Sequence, residues 1–530
     1  MNFGFIIDNR KCIGCHACTV ACKAEHETPI GVNRTWVKYI EKGEFPHSQR
    51  HFSVMRCNHC DDAPCIEICP VTALFRREDG IVDFDNQRCI GCKACMQACP
   101  YDALHLDPES LTASKCNYCA HRVDIGLEPA CVNVCPEHAI ISGDLDDPVS
   151  EISQLWAGEK VIVRKPEKGT QPTLGYIEGD LASLQPTATE PSSDYMSSSQ
   201  TREVGHYVRY AEQRSEQADL EVLVPAQGDQ EKMGQKAQEV LQENARRVHD
   251  APVASALWGW EVSAYIWTKS IAAGAFLVPF AAHSILGIAL PDDLQWLAVG
   301  VSLVFLFLTG ILLVKDLGRP ERFLYVLLRP QWKSWLVRGA YIIVFYSLLL
   351  VLWMIAEFLD LHRVQAALPW PGLVLAAATA GYTAFLLAQA KGRDFWQSPA
   401  LAIHMLVHAV MAGASVFSLA FLAMEESTSW MVVVRAILLG GIVLNLLTIA
   451  LELGTPHSSE DAQKTVGLIL RGPFRRHFWM GTVLVGNLIP LCLLWWGGSP
   501  ALAAAGALTL IGLYMAQDTW IRAPQLIPLS

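Results

Sequence analysis

The chain has 530 residues, of which 52% are hydrophobic, and it carries a formal net charge of −11 at pH 7. This negative balance, without a Lys/Arg stripe that could follow phosphates, excludes a nucleic-acid-binding role. Sixteen of the 17 cysteines precede residue 136, and long apolar runs fill the second half of the chain. The composition therefore predicts two parts that sit in different solvents.

The N-terminal part, 1–182, contains four compact groups of cysteines between short strand-like runs such as 80–84 and 103–106. Such grouping favours metal ligation over a disulfide framework, whose cysteines are scattered through loops. We identify no secretory signal peptide ahead of the first group. The four groups are Cys12, Cys15, Cys18 and Cys22; Cys57, Cys60, Cys65 and Cys69; Cys89, Cys92, Cys95 and Cys99; and Cys116, Cys119, Cys131 and Cys135.

The first and third groups share the spacing Cys-x2-Cys-x2-Cys-x3-Cys. In this pattern three thiolates on one loop bind three corners of an iron–sulfur cubane, and the fourth cysteine ligates a neighbouring cluster. Four such groups predict four 4Fe–4S clusters. A c-type haem attachment at Cys12–His16 and paired zinc knuckles are alternatives, but Cys18 and Cys22 continue the ferredoxin spacing instead.

The motifs CIGCHACTVACKAEH, CNHCDDAPCIEICP, CIGCKACMQACP and CNYCAHR resemble the four-cluster subunits of molybdopterin oxidoreductases of the dimethyl sulfoxide reductase family. The resemblance implies an α+β ferredoxin-like domain of two pseudo-repeated dicluster modules. Every ligand position holds cysteine, so no 3Fe–4S cluster is expected. The implied ligand sets are Cys12/Cys15/Cys18/Cys135, Cys22/Cys116/Cys119/Cys131, Cys57/Cys60/Cys65/Cys99 and Cys69/Cys89/Cys92/Cys95.

Residues 183–255 are rich in Ser, Thr, Gln, Glu and Pro, which predicts a polar, largely disordered linker. From 256 to 530 the chain has eight apolar segments near the length that crosses a bilayer as a helix, several of them flanked by tryptophan. An all-α transmembrane domain of about eight helices is therefore expected. The segments are 261–290, 294–314, 337–358, 369–390, 399–423, 430–452, 475–496 and 501–521.

Basic residues are distributed unevenly between the two faces of this bundle. The face reached by the linker, called side A below, has thirteen Lys and Arg residues in its loops and tail, whereas the opposite loops have Arg363 alone. The positive-inside rule then predicts a multi-pass protein of the bacterial inner membrane with a cytoplasmic cysteine domain. Docking of partner proteins is an alternative use of these charges. The side-A set is Lys315, Arg319, Arg322, Arg329, Lys333, Arg338, Lys391, Arg393, Lys464, Arg471, Arg475, Arg476 and Arg522.

Glu261, Tyr265 and Lys269 are spaced four residues apart and form one stripe on the first helix. A lysine this far inside a bilayer costs about 3 kcal/mol unless it is paired or faces a polar cavity. Helix directions bring further polar residues to the same side, where a quinone headgroup would find donors and a proton route. The alternative is that these residues only pair helix ends. The predicted quinone-binding residues are Tyr265, Lys269, Asp316, Arg319, Tyr382 and His404, with menaquinone or ubiquinone as the diffusible substrate.

His404 and His408 also raise the possibility of a b-type haem. Both lie on one helix face and cannot bind one iron from opposite sides, while His283 is near the other membrane face. No haem is therefore expected. Further ionisable residues in or near the apolar segments, Glu357, Arg435 and Asp518, either line a proton path or pair helices.

Three motifs carry a second resemblance: Trp260-Glu261 with Tyr265, Lys269 and Gly274; the run DLGRP at 316–320; and Tyr382-Thr383. They are similar to the NrfD/PsrC family of quinone-reactive membrane subunits. This resemblance implies eight helices with a quinone pocket near the cluster domain.

We therefore expect an electron-transfer and membrane-anchor subunit of a respiratory oxidoreductase complex. Because the sequence shows no molybdopterin domain, nucleotide fingerprint or nucleophile constellation, substrate chemistry is assigned to another chain. The first resemblance implies a molybdopterin catalytic partner that acts on a sulfur compound or a similar small oxyanion. Two alternatives stay open: a core subunit of an alternative complex III-type quinol-oxidising complex that feeds cytochromes, and an anchor whose clusters are only structural.

Overall fold

The computed structural model describes residues 1–43, 48–189, 245–251, 256–424, 428–457 and 459–530. Most of the predicted linker, 190–244 and 252–255, lies outside these residues. Its described ends contact the cysteine domain: Ser183 Oγ lies 2.7 Å from Ser53 Oγ, and Arg247 pairs with Ile40 in a β-ladder. There the buried Arg247 donates to Pro186 O over 2.8 Å and forms an ion pair with Asp250 at 2.9 Å.

The cysteine domain consists of short elements. Its strands are β1 (Phe3–Asp8), β2 (Thr35–Lys42), β3 (Gln49–Arg56), β4 (Leu74–Arg76), β5 (Val82–Phe84), β6 (Leu104–Leu106), β7 (Ala113–Lys115), β8 (Ile140–Asp144), β9 (Val161–Ile162), β10 (Leu174–Ile177) and β11 (Arg246–His249). Its helices are α1 (Ala17–Glu25), α2 (Pro64–Ile68), α3 (Ala94–Ala98), α4 (Ala120–Val123), α5 (Ala130–Asn133), α6 (Glu151–Gly158) and α7 (Leu181–Leu184). The two predicted strand-like runs contain β5 and β6.

A four-stranded sheet in the order β8-β1-β10-β9 organises this domain. Strand β1 lies inside the sheet because Phe5, Ile6 and Ile7 are buried on both of its faces. It pairs parallel with β10 and antiparallel with β8. A second sheet, β11-β2-β3, and the ribbons β4–β5 and β6–β7 surround the cysteine loops.

The C-terminal part is a bundle, and eight helices of the described residues are long and apolar enough to cross a membrane. The long helices are α8 (Trp260–Leu286), α9 (Asp292–Lys315), α11 (Trp335–Phe358), α13 (Pro369–Gln389), α14 (Leu401–Ala420), α15 (Thr428–Gly454), a π-helix (His477–Leu488) continued by α17 (Ile489–Trp496), and α18 (Ser499–Arg522). The connections contain α10 (Tyr325–Leu328), α12 (His362–Ala367) and α16 (Glu460–Leu470). The predicted fold class, α+β followed by an all-α membrane domain, is confirmed.

Two helices differ from the predicted segments. The first ends at Leu286 rather than 290 because Gly287 adopts a left-handed φ of 69°, which terminates the helix. The seventh begins as a π-helix over His477–Leu488. Hydrophobic pattern does not distinguish this geometry from an α-helix, so the sequence could not predict it.

Helices α8 and α14 pack unusually closely, and this contact positions the polar residues described below. A Cβ atom on Gly274 would lie 2.7 Å from Gly413 N, so only glycine allows the two backbones to meet here. Small residues at such crossings are characteristic of membrane helix pairs.

Candidate functional site

The sixteen cysteines of the predicted groups form four quartets that draw members from different loops. Cys69, Cys89, Cys92 and Cys95 line one cavity of about 390 Å³. A second cavity of about 340 Å³ is lined by Cys12, Cys15, Cys18 and Cys135. These are two of the four sets that the first resemblance implies.

The other two sets also come together. Cys22 neighbours Cys116, Cys119 and Cys131, and Cys65 neighbours Cys57, Cys60 and Cys99. Burial raises the pKa of the Cys119 thiol to about 12 and that of the Cys99 thiol to about 11. Because a metal binds the thiolate, a positively charged iron centre would offset the cost of removing these protons.

Left-handed glycines and backbone N–H groups shape the cysteine loops around their sulfur atoms. In the two equivalent Cys-Ile-Gly-Cys loops, Gly14 and Gly91 have left-handed φ angles of 68° and 70°. Backbone N–H groups point at sulfur, as in the bonds from Ala113 N to Cys89 Sγ at 3.4 Å and from Ala139 N to Cys135 Sγ at 3.2 Å. N–H···S bonds of this kind tune iron–sulfur clusters.

A buried cation that the sequence analysis did not identify lies between two quartets. The fully buried Arg56 donates from Nη1 to Cys131 Sγ over 3.1 Å and stacks over the Phe5 ring at 4.5 Å. Its Nε and Nη2 have no partner in the part of the chain that the structure describes. A buried cation needs an anion nearby, and a cluster held by four thiolates carries net negative charge. The surroundings of Arg56 therefore fit an iron–sulfur group.

The quartet that contains Cys92 faces the membrane domain. Gly318 N donates to Gly91 O over 3.2 Å, and Arg319 N donates to Ile90 O over 3.1 Å, so the loop after α9 pairs with the cysteine loop. Lys93 forms an ion pair with Asp316 at 2.9 Å. Trp258 Nε1 donates to Cys92 O over 3.2 Å.

Other side-A segments complete this interface. Gln97 Nε2 donates to Gln525 Oε1 over 2.7 Å, and Arg393 Nε donates to Gln97 Oε1 over 3.0 Å. Ser334 Oγ donates to Ile68 O over 2.7 Å. Loops and tail of one face thus contact the cysteine domain together.

Three of the predicted quinone residues meet inside the bundle. Lys269 is completely buried, lies 4.4 Å from the centroid of the Tyr382 ring and donates to Ala380 O over 3.2 Å. It also donates to Thr383 Oγ1. Tyr265, on the same helix as Lys269, interacts with Tyr382 and Thr383. This group supplies one cation and three hydroxyls at one place.

The other predicted quinone residues lie elsewhere. Asp316 is at the domain interface, paired with Lys93, and burial raises the pKa of its carboxyl while Lys93 opposes the rise. Arg319 donates from Nε to Ser110 O over 2.7 Å and so contacts the cysteine domain. His404 belongs to a separate buried cluster, where its Nδ1 lies 2.8 Å from Glu452 Oε2.

That second cluster contains residues that the sequence analysis did not select. Glu452, Asn445 and Asn487 are all at most 5% exposed. The sequence feature that could have identified them is the presence of one acid and two amides within apolar segments. Their convergence depends on helix packing, which hydrophobic pattern does not specify.

Together, the cysteine quartets and the eight-helix bundle define an iron–sulfur protein anchored by a multi-pass membrane domain. Residues 250–527, more than half of the total length, match the family described as "Polysulphide reductase, NrfD", and the chain is a member of that family. Residues 49–145 match the "4Fe-4S dicluster domain". The predicted fusion of a ferredoxin with an NrfD-type subunit is confirmed.

Curated relatives match about a third of the chain. A tetrathionate reductase subunit of Salmonella typhimurium is 46% identical over 188 residues, which are 35% of this chain and 75% of the relative. Thiosulfate reductase electron transfer subunit PhsB of Salmonella typhi is 45% identical over 163 residues, 30% of this chain and 83% of the relative. A polysulfide reductase polypeptide of Wolinella succinogenes is 40% identical over 177 residues, 32% of this chain and 92% of the relative.

Proposed function

We propose that this chain relays electrons through four 4Fe–4S clusters between a catalytic partner and membrane quinone. The observation that carries the proposal is the position of the Cys69/Cys89/Cys92/Cys95 quartet. Its loop pairs with the loop after α9 and receives a hydrogen bond from Trp258, which precedes α8 by two residues. A one-electron carrier there would lie at the side-A end of α8, the helix that carries Tyr265 and Lys269.

The four ligand sets are those implied by the first resemblance. Bound clusters would supply one-electron transfer, and the protein positions them and excludes water from most of their thiols. Exposure differs between the sets. Cys15 is exposed in one set, whereas the set of Cys57, Cys60, Cys65 and Cys99 is buried. The Cys15 set is therefore the site we assign to contact with a catalytic subunit.

The quinone headgroup would bind at Lys269, Tyr265 and Tyr382, which provide donors to its two carbonyl oxygens. The ring of Tyr382 and the hydroxyl of Thr383 hold the buried ammonium, whose transfer into a bilayer otherwise costs about 3 kcal/mol. Asp316 and Arg319 would order the loop above the headgroup, and His404 would serve its protons. Menaquinone or ubiquinone would be the diffusible substrate.

The names of the relatives guide the partner assignment. They belong to tetrathionate, thiosulfate and polysulfide reductases. We assign this chain a separate molybdopterin catalytic subunit that acts on a sulfur compound or a similar small oxyanion. The organisation that fits is a cluster domain at 1–182, a linker at 183–255 and a membrane domain at 256–530, with the cluster domain on the cytoplasmic side of a bacterial inner membrane.

The test uses the purified full chain in nanodiscs. Its clusters are reduced with limiting dithionite and mixed with decylubiquinone or a short-chain menaquinone, and their visible absorbance is followed. Wild-type clusters should be reoxidised, and Lys269→Met should weaken the dependence on quinone concentration. Lys315→Met is the matched control, because Lys315 is about half exposed at the side-A end of α9. Clusters that quinone leaves reduced, or equal effects of both variants, would contradict the proposal.

A further inference from the structure

Polar side chains form a continuous hydrogen-bonded line between α14, α15 and the π-helix. His404 Nδ1 lies 2.8 Å from Glu452 Oε2, and His404 Nε2 lies 2.8 Å from His408 Nε2. His408 Nε2 lies 3.1 Å from Asn445 Oδ1. Asn445 Nδ2 then donates to Asn487 Oδ1 over 2.9 Å. Each of these side chains is at least 95% buried.

One end of the line borders a cavity. Glu452 lines an open cavity of about 1770 Å³ on side A, whose wall includes Lys168 of the cysteine domain and Asp394 and His457 of the membrane domain. Oε1 of Glu452 is buried and has no hydrogen-bond partner among the described residues. Trp520 Nε1 donates to Oε2 over 3.2 Å and orients the carboxylate. A buried carboxylate oxygen without a protein partner at a polar cavity is a place for water.

His408, in the middle of the line, lies at the depth of the proposed quinone site. His408 is seven residues from the start of α14, about 10 Å along the helix axis, and Lys269 is nine residues from the start of α8, about 14 Å. Ala409, next to His408, is in backbone contact with Gly274 of α8. At His408 the line is therefore level with Lys269, on a helix that packs directly against α8.

The histidine pair can hold only one hydrogen between its facing nitrogens. With a proton on Glu452 Oε2 donating to His404 Nδ1, His404 Nε2–H donates to His408 Nε2. Transfer of the first proton to His404 Nδ1 moves the Nε2 proton of His404 across 2.8 Å to His408 Nε2, and His408 can then release the proton on its Nδ1. The pair thus passes a proton along rather than storing it.

The π-helix supports a functional origin for this arrangement. Asn487 Nδ2 donates to Thr482 O, five residues earlier, over 2.7 Å. π-helical segments are rare and are frequently found at functional sites.

We infer that Glu452, His404 and His408 form a proton relay between the side-A solution and the quinone site. The inference rests on the proposed function. Reduction of a quinone to a quinol consumes two electrons, which arrive through the clusters, and two protons, which the relay delivers from side A. Quinol oxidation releases the same electrons and protons by the reverse route.

The experiment compares variants of the full chain in nanodiscs, in the reoxidation assay with decylubiquinone. Glu452→Gln keeps the shape and the acceptor for Trp520 but removes the proton carrier, and it should slow reoxidation about 100-fold. The half-saturating quinone concentration should stay unchanged. Formate or azide, small proton carriers that can replace a missing carboxylate, should restore the rate. Glu460→Gln is the matched control, because Glu460 is an exposed acid on the same face, 58% exposed, outside the relay.

His408→Gln provides a second block beyond the cavity, and it should slow reoxidation without rescue by formate. An unchanged rate in Glu452→Gln would overturn the relay while leaving the proposed function intact. A slow rate with a raised half-saturating quinone concentration and no rescue would also overturn it, because Glu452 would then contact quinone itself. Wild-type clusters that quinone does not reoxidise would overturn both proposals.

Discussion

Replacing Arg56 by methionine should lower the reduction potential of the cluster assigned to Cys22, Cys116, Cys119 and Cys131. The guanidinium lies 3.1 Å from Cys131 Sγ and is completely buried. An added electron spread over a cluster centred roughly 6–7 Å away would interact with this charge by about 2.5 kcal/mol at an effective dielectric constant of 20. That energy corresponds to about 110 mV for one electron. Methionine fills similar volume without the charge.

The measurement is an EPR-monitored redox titration of the full chain. Arg56→Met should shift one of the midpoint potentials downward by about 110 mV, and Arg56→Lys should retain most of the wild-type value, since both effects follow from charge. Arg10→Met, at a partly exposed arginine of the same domain, is the control. An unchanged or raised potential in Arg56→Met would refute the electrostatic argument.

Three further predictions concern stability. Gly274→Ala should destabilise the bundle by about 1–3 kcal/mol through overpacking, seen as a lower melting temperature in detergent, whereas Gly310→Ala, where nothing lies within 4 Å, should not. Burial raises the pKa of the Asp102 carboxyl from 3.8 to about 6. Because the unfolded chain then loses this proton at a lower pH than the folded chain, the free energy of unfolding should fall as the pH rises from about 4 to about 6, by at most about 3 kcal/mol. Asp102→Asn should remove that fall in pH-dependent thermal melts, and a persisting fall would contradict the assignment. Gly91→Ala, at φ 70° and with its Cβ 2.8 Å from Gly318 Cα, should cost about 1–3 kcal/mol and increase hydrogen exchange in the loop after α9.

The fold followed from signals that are local in the chain. Cysteine spacing within a loop determines which thiols can reach one cofactor, and apolar runs of spanning length predict membrane helices wherever they pack. Both therefore predicted the architecture and the position of each helix within a few residues. Stripe periodicity likewise placed Tyr265 and Lys269 together.

The remaining features depend on contacts between distant segments. Arg56 directly precedes Cys57, and nothing in its neighbours indicates that its guanidinium turns inward to Cys131. In the sequence, Glu452 lies at the end of an apolar run and resembles an acid at a membrane surface. Its contact with His404 exists only because α14 packs against α15. Asn487 lies in a π-helix, so its position in the bundle depends on that geometry. The hydrophobic pattern of a π-helix matches that of an α-helix, so the sequence does not reveal it.

The exposed position of Cys15 has a consequence for handling the protein in air. Molecular oxygen reaches a solvent-facing cluster far sooner than one sealed among buried thiols, so decay should start at the Cys12/Cys15/Cys18/Cys135 set and leave the interior sets intact for longer. A catalytic subunit seated over Cys15 would act as a cap. Preparations stripped of that subunit would then lose their outermost iron first and keep a shortened but still reducible series of clusters.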